Sequence, residues 1–112
     1  MTVIQIGDWN LEDRHARRGK SQVVLFHNAD DPKVRALRKE FTRVAREHRD
    51  AEFYEVDLVE NPSLSTKYSL PQAPMVLVFV DGTEVGRHAG TSIAATVDRV
   101  LGVPPHDREE NS

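Results

Sequence analysis

Two uninterrupted apolar runs, Gln22-Val23-Val24-Leu25-Phe26-His27 and Met75 to Val80, constrain this chain more than any other feature. Neither alternates apolar with polar residues, so neither suits a strand with one wet face. Runs of this length, rich in β-branched residues, belong to strands covered on both sides. The sheet therefore needs helices on its two faces, and the intervening segments supply them. Val34, Leu37, Phe41, Val44, Ala45 and the amphipathic His48 recur at intervals of three and four, which makes one stripe of a helix of about four turns. Asn28 to Pro32 supplies its start: Asp30 or Asp31 caps, Pro32 suits the first turn, and the acids complement the positive end of the dipole.

The remaining elements follow in order. Val3 to Ile6 reads as a short edge strand and Asn10 to Arg18 as a short polar helix. Ala51 to Leu58 is extended in character, and Asn61-Pro62 opens a short helix from Ser63 to Tyr68. Leu70 to Pro74 is a proline-bounded loop. Asp81-Gly82 is a tight-hairpin signal between Met75–Val80 and a returning strand from Glu84 to Ala89. Gly90-Thr91-Ser92 leads into a closing helix with Ile93, Val97, Val100 and Leu101 on one face, and Gly102 ends it. The order β-α-β-α-β-α-β-β-α implies an α/β domain with a central mixed sheet of four to five strands flanked by helices. One domain is expected over residues 1–102, followed by a flexible, polar tail over 103–112.

Composition narrows function by exclusion. The 112 residues contain no cysteine, so disulfides, thiolate metal sites and cysteine nucleophiles are absent from them. No apolar stretch approaches the roughly 20 residues of a membrane span, and the first residues lack a signal-peptide pattern, so a cytoplasmic location is expected. The five histidines show no pair at metal-ligand spacing, so neither metal nor cofactor is expected; His27, at the end of the central strand, is the one to watch for pH sensitivity. Serines and threonines form no nucleophile elbow, and there is no glycine-rich phosphate loop. The formal charge of -3 argues against nucleic acid and anionic lipid as partners. Charge is uneven all the same: Arg35, Lys39, Arg43 and Arg46 make one helix face basic, and an acidic strand follows. That face lacks interleaved aromatics for base stacking. It reads as a solvated helix surface, as a surface for an acidic protein, or as one paired within the chain or across a dimer.

The segment from Val23 to Leu101 resembles thioredoxin. Residues 23 to 33, ending His27-Asn28-Ala29-Asp30-Asp31-Pro32-Lys33, lie where that family has its central strand followed by Trp-Cys-Gly-Pro-Cys. Val56-Asp57, Asn61-Pro62 and Lys67-Tyr68 match its third strand and following helix. Ala73-Pro74 falls at its cis-proline, and Phe79 to Gly82 with Gly90 matches its last hairpin and the glycine beyond. The resemblance implies a thioredoxin-like fold, a cis Ala73–Pro74 bond, and a groove lined by Ala29, Asp30, Asp31, Ala73, Pro74, Gly90 and Thr91 that takes an extended peptide.

The departures bear on activity. Asp30 and Lys33 stand at the two cysteine positions, so Asp30 to Lys33 is a vestigial motif that keeps only its proline, Pro32. Val24 stands where the family has its buried acid, and Ala29 where it has the tryptophan. Exchange requires a thiolate attacking sulfur, which neither carboxylate nor ammonium replaces. A carboxylate at a helix N-terminus is held as the anion by roughly 0.3–1 kcal/mol, which makes Asp30 a poor base and a better cap. The expectation is a non-enzymatic, redox-inactive thioredoxin-like domain, a monomer or weak homodimer, that binds a protein as adaptor or chaperone-like factor. The alternative is a thiol-independent or glutathione-using enzyme of the same fold.

Overall fold

The computed structural model of the chain describes residues 3–5, 21–89 and 93–102. Five strands form one mixed sheet: β1 (Val3–Gln5), β2 (Ser21–His27), β3 (Ala51–Asp57), β4 (Met75–Val80) and β5 (Thr83–Ala89), in spatial order β1-β3-β2-β4-β5. Three helices accompany them: α1 (Val34–Glu47), α2 (Ser63–Lys67) and α3 (Ile93–Leu101). β1 and β2 both run parallel to β3, whereas β4 is antiparallel to β2 and β5 to β4. The helix expected over Asn10 to Arg18, residue Ile6 and the tail over 103–112 lie outside the described residues.

β2 is the centre that its composition requires. Alternate residues enter two cores, one on each face of the sheet. Val23 and Leu25 pack with Leu37, Phe41 and Val44 of α1 and with Ile93 and Val97 of α3. On the other face, Val24 and Phe26 pack with Tyr54, Val56, Leu77 and Leu64 of α2. Full burial of each such side chain stabilises the fold by about 1.5–3 kcal/mol, so a central strand buried on two faces dominates the core. Phe41 and Phe53 meet edge to face at 5.4 Å beneath α1, and Tyr68 bridges Phe26 and Phe79 on the opposite face.

Local chemistry sets the boundaries. Asp81 and Gly82 adopt φ of 53° and 81°, the paired positive values of a two-residue hairpin turn, so β5 begins at Thr83, one residue before the sequence reading. Gly102 at φ 91° ends α3. Gly86 has a different reason to be glycine: a Cβ there would lie 2.8 Å from Cγ2 of Val100, so α3 rests directly on the β5 backbone.

The start of α1 corrects the sequence reading. Neither Asp30 nor Asp31 caps the helix. Lys33 occupies the N-cap position without a side-chain hydrogen bond, and the first turn holds no acid. Asp31 instead folds its carboxylate onto its own loop, where Oδ1 accepts from Lys33 N–H at 3.0 Å, while Val34 N–H donates to Asp31 O at 3.1 Å. Two successive turns, with Asp31 N–H donating to Asn28 O at 3.0 Å, delay the helix to Val34. The tendency of aspartate to bond a backbone N–H two residues on competes with capping here and wins.

Candidate functional site

The C-terminal ends of β2 and β3 and the approach to β4 converge at one end of the sheet, where Asp57 organises the connections. Its Oδ1 accepts from Ala29 N–H at 3.1 Å and from Val59 N–H at 3.0 Å, tying the loop after β2 to the loop after β3. Leu58 N–H donates to His27 O at 2.7 Å beside it. The Ala73–Pro74 bond is cis, in the loop that enters β4. A hollow of about 260 Å³ opens between these loops and α2, lined by Asn28, Leu58, Pro62, Ser65, Leu70, Gln72 and Ala73. Val59, 54% exposed, follows its Leu58 wall.

The residues expected to form one groove divide between two hollows. Ala73 lines the small one, and half-buried Pro74 adjoins it. Ala29, Asp30 and Asp31 line a second, larger cleft of about 740 Å³ on the α1 side, together with Pro32, Val34, Arg35, Arg38, Lys39, Thr42 and Glu55. Gly90 and Thr91 lie outside the described residues. Leu58, Pro62 and Leu70 were not singled out by the sequence reading. A leucine closing a strand and another before a proline look the same whether they pack inward or wall a hollow.

The basic helix face is also subdivided. Arg35 and Lys39 line the larger cleft. Arg43 is engaged within the helix, donating to Glu47 Oε2 at 2.8 Å with Glu40 Oε2 at 4.0 Å, and Arg46 stands exposed in the last turn. Arg38, one residue from Lys39, crosses to the sheet and donates its Nε–H to Glu55 Oε1 at 2.7 Å. Pairing with the acidic strand thus involves Arg38, which is not one of the four residues read as the basic face, and Arg43 pairs within its own helix.

Glu55 is buried to 5% exposure on the face of β3 beneath α1, and His27 stands on the neighbouring strand with its Nε2 3.4 Å from Glu55 Oε1. Neither His27 ring nitrogen makes a hydrogen bond among the described residues. Burial pushes the Glu55 carboxyl up, but the facing His27 ring and the Arg38 guanidinium outweigh it and hold the carboxyl below its ordinary range. Among the described residues no group of three or more histidines and acids is placed to hold a metal ion.

No protein-family model matches the chain, and no curated protein sequence does. Solved structures match it over most of its length. Thioredoxin f2 of Chlamydomonas reinhardtii aligns with a TM-score of 0.82 at 16% identity, covering 90% of this chain and 98% of that one. The chain has the thioredoxin fold. Reduced thioredoxin of Schistosoma mansoni aligns with a TM-score of 0.81 at 24% identity, covering 92% and 99% of the two chains. The thioredoxin of Fasciola hepatica aligns at 0.70 and 25% identity over 83% and 86%. A thioredoxin-like domain without cysteine carries no thiolate of its own, and thiol–disulfide exchange has no nucleophile here. Among the described residues no helix is long and apolar enough to cross a membrane.

Proposed function

We propose that this thioredoxin-like domain is a non-catalytic, cytoplasmic binding module, an adaptor or chaperone-like factor that holds an extended segment of a protein partner. The segment runs over Ala73 and Pro74. One observation carries the reading. The end of the sheet keeps a built hollow, with Leu58, Pro62, Leu70 and Ala73 as its apolar walls and Asp57 strapping two of its loops, although the chain has no cysteine to make that end reactive. A hollow of this size accepts one apolar side chain, and main-chain hydrogen bonds along an extended segment would supply the rest of the affinity.

Affinity capture from native lysate tests it, with the wild-type domain beside Ala73→Glu in the hollow and Arg35→Glu/Lys39→Glu on the helix. A partner lost with Ala73→Glu and kept by the helix variant supports the groove. A partner lost with the helix variant alone moves the function to α1, and no specific partner from any form contradicts the adaptor reading. Thermal stabilisation by glutathione would favour the enzyme alternative.

A further inference from the structure

The larger cleft is not needed for the groove reading, and its chemistry differs. Three cations stand along its α1 wall: Arg35, Arg38 and Lys39. Residues three and four apart on a helix are surface neighbours, so Arg35 lies beside both others. Arg35 and Lys39 make no ion pair among the described residues and are exposed. Arg38 is anchored differently. Its Nε–H is taken by Glu55, whose side chain is 6% exposed and backed by the buried His27 ring, while the Arg38 side chain remains 46% exposed. Its terminal amino groups make no hydrogen bond among the described residues. A guanidinium fixed through Nε by a buried carboxylate, with its outer donors in an open cleft, has the planar fork that a second carboxylate accepts.

We propose that this cleft is a binding site for the carboxylates of an acidic segment of another protein. Arg38 would be the oriented fork, Arg35 and Lys39 its flanking charges, and Glu55 a positioning residue that the segment does not touch. The occupant follows from charge. Three donors spread over one helical turn match successive acidic side chains better than a single small anion. Asp30 and Asp31 close the loop end of the same cleft, and Asp31 is committed to Lys33 N–H. They repel an acid there and direct it toward the Lys39 end, which gives the segment a register.

The test titrates the full chain, isotope-labelled, with a capped Gly-Glu-Glu-Glu-Gly peptide, its glutamine counterpart and free glutarate, following the Arg38 Nε–H resonance. The glutamate peptide is expected to shift that resonance and to bind at least tenfold more tightly than the glutamine peptide. Arg35→Gln/Lys39→Gln should weaken it at least tenfold, and higher salt should weaken it further. Arg46→Gln, outside the cleft, and Ala73→Glu, in the groove, should leave it unchanged, which separates failure of this site from failure of the groove. Equal binding of the two peptides, indifference to Arg35→Gln/Lys39→Gln, or an equal loss with Arg46→Gln would overturn the site. Glutarate binding as tightly as the glutamate peptide would overturn the protein segment as its occupant.

Discussion

Arg38 and Glu55 join α1 to β3 through a 2.7 Å hydrogen bond between a half-exposed guanidinium and the one carboxylate that is buried among the described residues. Removing either partner has unequal consequences. Arg38→Gln leaves the Glu55 carboxylate buried with His27 alone, whereas Arg38→Gln/Glu55→Gln removes the charge as well. Because Arg38 is half in solvent, the single change should cost about 1–2 kcal/mol, between the exposed and fully buried limits for ion pairs. Denaturant midpoints should show the double variant recovering part of that loss.

The same carboxylate makes stability depend on acid. The folded protein holds Glu55 below its ordinary value of 4.5. The folded state therefore binds the proton less tightly than the unfolded chain does. Its contribution is present above about pH 4.5 and is lost as pH falls through the lower folded value. Unfolding free energy measured from pH 6 downward should decline less steeply in Glu55→Gln than in the wild type.

At Gly86, substitution meets a stiff neighbour. A Cβ at 2.8 Å from Val100 Cγ2 cannot be accommodated by a rotamer change alone, because valine is branched at Cβ. Gly86→Ala should destabilise the domain by about 1–3 kcal/mol through overpacking. Gly86→Ala/Val100→Ala should be less destabilised than the sum of its single variants, which a double-mutant cycle of unfolding free energies would measure.

Asp57 is the strap of the candidate groove. Asp57→Ala leaves the N–H groups of Ala29 and Val59 without their shared acceptor. Hydrogen bonds to a charged group contribute about 1.5–3 kcal/mol, and the half-exposed position of Asp57 places the expected loss near the lower end. Amide exchange should quicken at Ala29 and Val59 while the β2 core amides remain protected relative to global unfolding.

The fold was legible because period and length were unambiguous where it mattered. Six apolar residues at Met75–Val80 and the β2 run admit one kind of sheet, and the stripe from Val34 to Ala45 coincides with the buried residues of α1. Turn chemistry was legible at Asp81-Gly82, where two positive φ angles have few solutions, and misleading at Asp30-Asp31. Several aspartate hydrogen-bonding modes share one sequence signal there, and local geometry chooses among them. The site was harder. Ala29 and Ala73 fall in one groove by resemblance but border different hollows, and no single-residue signal in the sequence tells which loop faces which hollow. Glu55 was hidden in a run of surface-like acids. Its alternation with Phe53, a core residue beneath α1, was the available signal that it points inward.

The central claim is that a partner engages the hollow at Ala73 on a scaffold without thiol chemistry. A photo-reactive residue at exposed Gln72, compared in cells with one at exposed Val85 on β5, tests it most directly. The account predicts a discrete cross-linked species from position 72 that disappears with Ala73→Glu and has no counterpart from position 85. A species from position 85 alone, or one from position 72 indifferent to Ala73→Glu, would contradict it.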